Sequence, residues 1–228
     1  MTTRTADEIR ADYVTLMGEP LGSVFNALWQ ELASVNSNWA EYVTLFGSKP
    51  SRVDLLNEAA PHFFRVAQDT LWEAILLHIA RLTDSPQPGG KATLTVRRLP
   101  DLISDLGLKA SINALIEKAL VDAEFCRDWR NRHIAHRDLA LSLRKSARPL
   151  ATASRNQVDK VLASLADVLN EVTLHFKDST TAFDFHGADH GAEQLLYVLH
   201  SGVGAQKGRI DRMKNGTATA EDWNTPEL

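Results

Sequence analysis

The chain has 228 residues, of which 44% are apolar, 24% charged and 7% aromatic, the composition of an ordinary globular protein rather than of a disordered, collagen-like or membrane-embedded chain. Its formal charge is −4, from 25 basic and 29 acidic side chains, a balance that, taken whole, argues against a nucleic-acid-binding protein. The single cysteine, Cys126, excludes an intramolecular disulfide, leaves any zinc site dependent on His and carboxylate ligands, and predicts a reducing, cytoplasmic location.

The opening MTTRTADEIR is polar and lacks the apolar centre of a signal peptide. No apolar stretch approaches the roughly 18 residues that span a bilayer, and the best one, Leu71 to Ile79, is interrupted by Glu73 and His78. Apolar residues recur three and four apart almost throughout, which predicts helices. The first runs from Ala6 to Met17 and is ended by Gly18-Glu19-Pro20. The second spans Leu21 to Phe46, with Val24, Leu28, Leu32, Val35, Trp39 and Val43 on one face, before Gly47 and Pro50 stop it. A third segment, Ser51 to Leu82, opens with the spacing of a capping box at Ser51 and Asp54, and Pro61 kinks or divides it.

The cluster from Asp84 to Gly90 is a loop, and Thr93 to Val96, strand-like but without a partner, continues it as extended chain. A short helix is predicted over Leu99 to Leu106 and a long one over Ala110 to Arg137. Ser154 caps a helix to Lys177, and Asp189 caps one to Met213 that three glycines after Ser201 weaken. Repeats and linkers are not apparent, so the sequence reads as one all-α helical bundle over residues 1–213, with residues 1–19 as an N-terminal helix and 214–228 as a frayed polar tail.

Chemistry concentrates in residues 124–138, EFCRDWRNRHIAHRD. From Arg127 to Arg148 there are seven basic residues (Arg127, Arg130, Arg132, Arg137, Arg144, Lys145, Arg148) against Asp128 and Asp138, so this stretch carries +5 and the remainder −9. On a continuous helix Arg130 falls on the stripe of Ala119, Ala123 and Cys126. An arginine there needs a carboxylate within the chain, a partner subunit or a phosphate in a cleft. An internal ion pair is the plainer of these.

The string RNRHIAH, Arg130 to His136, resembles the arginine, polar residue, short gap and histidine signature of the HEPN superfamily of nucleotide-binding helical domains. With LLHIARLTDSP upstream, the string WRNRHIAHRD is most similar to the branch named after abortive-infection protein U. The resemblance covers residues 20–210 and implies an all-α bundle, a twofold homodimer and a metal-independent endoribonuclease, needing no cofactor, that acts as a toxin or in phage defence. The residue types suit that reaction. RNA supplies its own 2′-hydroxyl nucleophile, His titrates near neutral pH, and Arg offers a permanent charge in a planar fork that matches phosphate oxygens. By resemblance Arg130 stabilises the phosphoryl group, His136 is the acid or base, and Asn131 positions one of them. Arg127, Arg132, His133 and Arg137 are the neighbouring RNA contacts. His133 has a solvated surface residue as its alternative role. Arg81 and Asp84 support the site from the upstream helix, or form a local helix-end pair with each other or with the motif helix. Relatives governed by a nucleotidyltransferase antitoxin carry Tyr two residues after the motif histidine; Asp138 stands there, and the resemblance does not extend to that mode.

Helix geometry sets a puzzle. Six residues carry His136 about 240° round an unbroken helix from Arg130, whereas His133 is nearer. Either the helix loosens near Ile134, or two subunits share a composite cleft with paired Arg130 and His136. The expected partners are RNA, a second copy and a possible antitoxin, with no membrane. The alternatives are a HEPN domain that binds RNA, a nucleotide or a partner protein without cleavage, and a purely structural dimer.

Overall fold

A computed structural model describes residues 5–143, 148–184 and 191–224, and among them the chain is all-α, with no strand. Helix α1 (Ala6–Met17) starts on Thr5, whose hydroxyl takes the Glu8 amide while the Glu8 carboxylate takes the Thr5 amide, so two otherwise orphaned donors are satisfied reciprocally. Gly18 ends the helix at φ +75°, where a side chain would be strained. In α2 (Leu21–Tyr42), a Cβ on Gly22 would collide with the α1 backbone at Tyr13, so the bare glycine lets the two helices touch.

A π-turn over Val43–Gly47 follows α2, and α3 (Pro50–Ala59) comes next. The capping box expected at Ser51 and Asp54 does not form. Lys49 stands at the cap without a side-chain bond, because Pro50 occupies the first helical position, where its fixed φ starts the turn and its missing N–H needs no cap. Pro61 divides the segment: Ala60 before it leaves helical geometry at φ −161°, and α4 (Pro61–Leu82) begins afresh.

Packing groups the chain into two compact units, Met1–Ala40 with Leu71–His186, and Glu41–Thr70 with Gly187–Leu228. In the first, α5 (Leu99–Leu102) is shorter than predicted because Asp105 accepts the Leu108 amide and starts α6 (Leu106–Asp122) early. α6 packs along α9 (Arg155–Lys177), which turns Val158, Leu165, Val168 and Val172 inward. Phe25, Leu28 and Leu32 of α2 and Ile75, Leu76 and Ile79 of α4 are also fully buried, and each such side chain contributes about 1.5–3 kcal/mol. α9 opens on the Ser154 and Gln157 capping box.

The long helix expected from Ala110 to Arg137 is not continuous. It stops at Asp122, turns at Ala123 (ψ 2°), and resumes as α7 (Glu124–Trp129). No glycine or proline marks the break. The Arg127 guanidinium donates to the Leu120 carbonyl at 2.6 Å and to the Thr83 carbonyl at 3.4 Å, replacing partners that an interrupted helix lacks. A π-turn over Arg130–Ile134 follows, and then α8 (Leu139–Ser142).

The second unit has its own core of Leu45, Leu56, Phe64, Ala192 and Leu196, with α10 (Ala192–Lys214) packed on α3. Asp189, expected to cap α10, lies outside the described residues; the cap position is Gly191. Because glycine has no side chain to offer, the Glu41 carboxylate accepts the Ala192 amide, a negative group at the positive helix end. The helix runs unbroken through Gly202, Gly204 and Gly208. The tail is tied rather than frayed as far as Asn224: Ala220–Trp223 form a 3₁₀ turn, and Arg212 donates to both carboxylate oxygens of Asp222, at 3.0 and 2.5 Å.

Candidate functional site

The end of α4 and the loop after it set the first wall of the site. Thr83 turns its hydroxyl back to the Ile79 carbonyl at 3.0 Å, and buried Thr95 reaches the carbonyls of Leu82 and Asp84, each at 2.9 Å. Arg98 donates to the Pro86 and Thr93 carbonyls and staples the loop from the other side. These bonds fix the backbone at Asp84. Its carboxylate receives the Arg130 Nη1 donor, and on the opposite side Arg130 Nε donates to Asn131 Oδ1 at 3.0 Å. Of the guanidinium, Nη2 has no hydrogen bond among the described residues. The arginine is about three-quarters buried, so this is a held fork with one open side.

The motif helix loosens where the geometry requires it. The Ala135 amide bonds the Arg130 carbonyl at 2.8 Å, five residues back instead of four. Beyond this π-turn the backbone bends at Ala135 and His136, so the 240° separation of a regular helix no longer applies. His136 is exposed, and among the described residues its ring makes no hydrogen bond. His133 is different. Its Nε2 lies 3.1 Å from Glu73 Oε1 on α4, and its ring meets Trp129 edge-on at 5.5 Å. The indoles of Trp39, Trp72 and Trp129 continue that contact into the first unit, with centroids 6.2 and 6.3 Å apart.

The other predicted contacts separate into two kinds. Arg132 faces Asp128 at 3.4 Å and Asp138 at 3.5 Å and also donates to the Arg148 and Pro149 carbonyls, so it binds residues 148–151 to the motif helix. Asp128 and Trp129 hold the same strap through the Ala151 amide and carbonyl, at 2.7 and 2.9 Å. Arg127, as described, serves carbonyls at the helix break. By contrast Arg137 and Arg81 are exposed and carry no ion pair among the described residues. Arg144 and Lys145 lie outside them. Asp138 caps α8 through the Leu141 amide, and that bond, with Arg132 beside it, holds its carboxyl below the usual range. Burial pushes the Cys126 thiol well up, against the opposing charge of Arg127, so the group stays protonated and inert.

The structure thus brings Arg130, Asn131 and Asp84 together, pairs His133 with Glu73, and leaves His136 at the surface. It pairs Asp84 with Arg130 and not with Arg81. Sequence reading missed Glu73 and the contact between Glu31 and His78. The signal lay in the interruption of the apolar run of α4 by Glu73 and His78, an expensive choice on a buried helix unless each polar side chain has a partner.

A family model described as HEPN_AbiU2, AbiU2, matches residues 18–195. The chain belongs to the AbiU2 family of HEPN domains. No curated protein and no solved structure matches it. The matched AbiU2 region contains the whole Arg130, Asn131 and Asp84 cluster, the His133 and Glu73 pair, and His136. No described helix of this AbiU2 domain is long and apolar enough to cross a membrane.

Proposed function

We propose that this protein is a HEPN-type endoribonuclease, a toxin or phage-defence effector that cleaves RNA without a metal. The observation that carries the reading is the doubly held Arg130 fork, with an open side and, just past the π-turn, a histidine that makes no side-chain hydrogen bond among the described residues. Asp84 and Asn131 pre-pay the orientation of the guanidinium, so that it can bind two phosphate oxygens as charge grows on them. The 2′-hydroxyl oxygen attacks the adjacent phosphorus, His136 takes the hydroxyl proton, and the bond to the 5′-oxygen breaks as that oxygen is protonated. The products are a 2′,3′-cyclic phosphate and a 5′-hydroxyl end. In a twofold dimer the second His136 supplies the opposite proton transfer, and two Arg130 forks flank one phosphate.

Incubation with total RNA in EDTA tests this. Wild-type protein is expected to cleave, and Arg130→Ala and His136→Ala to lose about 10²-fold or more, the scale of a lost acid or base, while retaining the wild-type circular dichroism spectrum. No cleavage by wild type, or equal cleavage by the variants, overturns the reading. One observation favours a second reading: the Asp84 carboxylate already occupies one end of the fork. In that case the domain binds RNA, a nucleotide or a partner without cutting, and salt-sensitive RNA binding by a protein inactive in the same assay identifies it.

A further inference from the structure

Beside the Arg130 fork is a cavity of about 400 Å³, within the first unit, lined by Glu31, His78, Arg81, Leu82, Asp84 and Leu94. Its volume falls in the range of roughly 300–1,000 Å³ usual for small-molecule pockets. Asp84 belongs to both places: it forms part of the cavity wall and receives Arg130 Nη1. A nucleotide chain whose phosphate lies on Arg130 therefore has this cavity next to it.

The wall chemistry selects a class of occupant. Half-buried Leu94, with the core residue Leu82 behind it, supplies apolar surface against which a flat ring can lie. The two acids each have a partner, Asp84 the Arg130 guanidinium and Glu31 the His78 imidazole, so neither carboxylate stands alone in the cavity wall. Arg81 is exposed, without an ion pair among the described residues, and is available to a flanking phosphate or to the face of a base. Glu31 is the selective element. His78 contacts its Oε2, leaving Oε1 and the second lone pair of Oε2 to accept. A carboxylate with two adjacent acceptors matches the N1–H and N2–H donors on the Watson–Crick edge of guanine. Adenine, cytosine and uracil do not present that pair.

We infer that this cavity is a guanine-binding subsite, with Glu31 as its specificity residue and Arg81 as its contact to the neighbouring phosphate. The inference deepens the ribonuclease reading and depends on it for the phosphate at Arg130, but the recognition step can be measured without turnover. Calorimetric titration of the full chain with guanosine 3′-monophosphate and adenosine 3′-monophosphate is expected to give at least tenfold tighter binding of the guanine nucleotide. In Glu31→Gln, which replaces one acceptor by a donor, that ratio should fall to within about twofold. Inosine 3′-monophosphate, which lacks the N2 amino group, should bind wild type several-fold more weakly than the guanine nucleotide and Glu31→Gln no differently from it. Equal binding of guanine and adenine nucleotides by wild type, or an unchanged ratio in a Glu31→Gln protein with native circular dichroism, overturns the subsite. The same preparations assayed on RNA separate the two ideas. Guanine selectivity that depends on Glu31 in a protein that cuts nothing retains the subsite and removes the nuclease; cleavage at every base, indifferent to Glu31, does the reverse.

Discussion

Seven basic side chains within 22 residues of sequence look alike on paper, and their surroundings divide them. Arg127 is a structural donor: its removal would leave the Leu120 carbonyl at the α6 break without its 2.6 Å bond. Replacing it with Met is expected to cost roughly 1–3 kcal/mol in urea unfolding, the penalty of an unsatisfied buried polar group, while RNA affinity per folded molecule stays near wild type. Arg137 is exposed and without an ion pair among the described residues. Arg137→Ala should leave stability within about 0.5 kcal/mol and weaken RNA binding in a filter assay. If Arg127→Met instead left stability unchanged and abolished RNA binding, the division would be wrong. The histidines divide in the same way, His133 being held by Glu73 and Trp129 while His136 is not.

At the level of elements, helices announced by their own residues were legible. Gly18 ends α1, Pro61 splits α3 from α4, and Ser154 opens α9. Two things could not be read locally. The break at Ala123 contains no helix breaker, and what sustains it is Arg127 reaching a carbonyl in α6 and another at the end of α4. The π-turn over Arg130–Ile134 likewise contains no local breaker, and it shows in the 2.8 Å bond from the Ala135 amide to the Arg130 carbonyl. The partner acids belong here too: Asp84 sits in a recognisable string, whereas Glu73 shows only as a polar break in the apolar run of α4, and its partner 60 residues away leaves no local pattern. The tail makes the same point. Its polar composition predicts fraying, but Asp222 is held by Arg212 and by the Thr219 amide, which keep its carboxyl far below the ordinary carboxylate range. A carboxyl depressed in the folded state stabilises above its unfolded value near pH 4, and the benefit disappears as pH falls toward the folded value. Amide exchange protection around Ala220–Trp223 is therefore expected to be present at pH 7 and to decline below about pH 4, and Asp222→Asn should remove most of that pH dependence.

For the molecule as a whole, net charge misleads because the basic segment and the acidic remainder average out. Were all seven cations of the basic segment to meet RNA, the log–log salt slope on single strands would be roughly −5. Arg127 and Arg132 are instead committed to carbonyls and carboxylates of their own chain. Arg130, Arg137 and exposed Arg81 remain, so we expect a slope of roughly −2 to −3 from equilibrium binding across a salt series. A slope near −4 would mean that Arg144, Lys145 and Arg148 also engage phosphate. The row of indoles has an optical consequence. Trp39, Trp72 and Trp129 are close enough for excitation energy to pass from ring to ring, and the last of them touches His133. The share of the emission that comes from these three indoles therefore reports on the imidazole at the end of the row, and the domain carries a built-in fluorophore beside the candidate site.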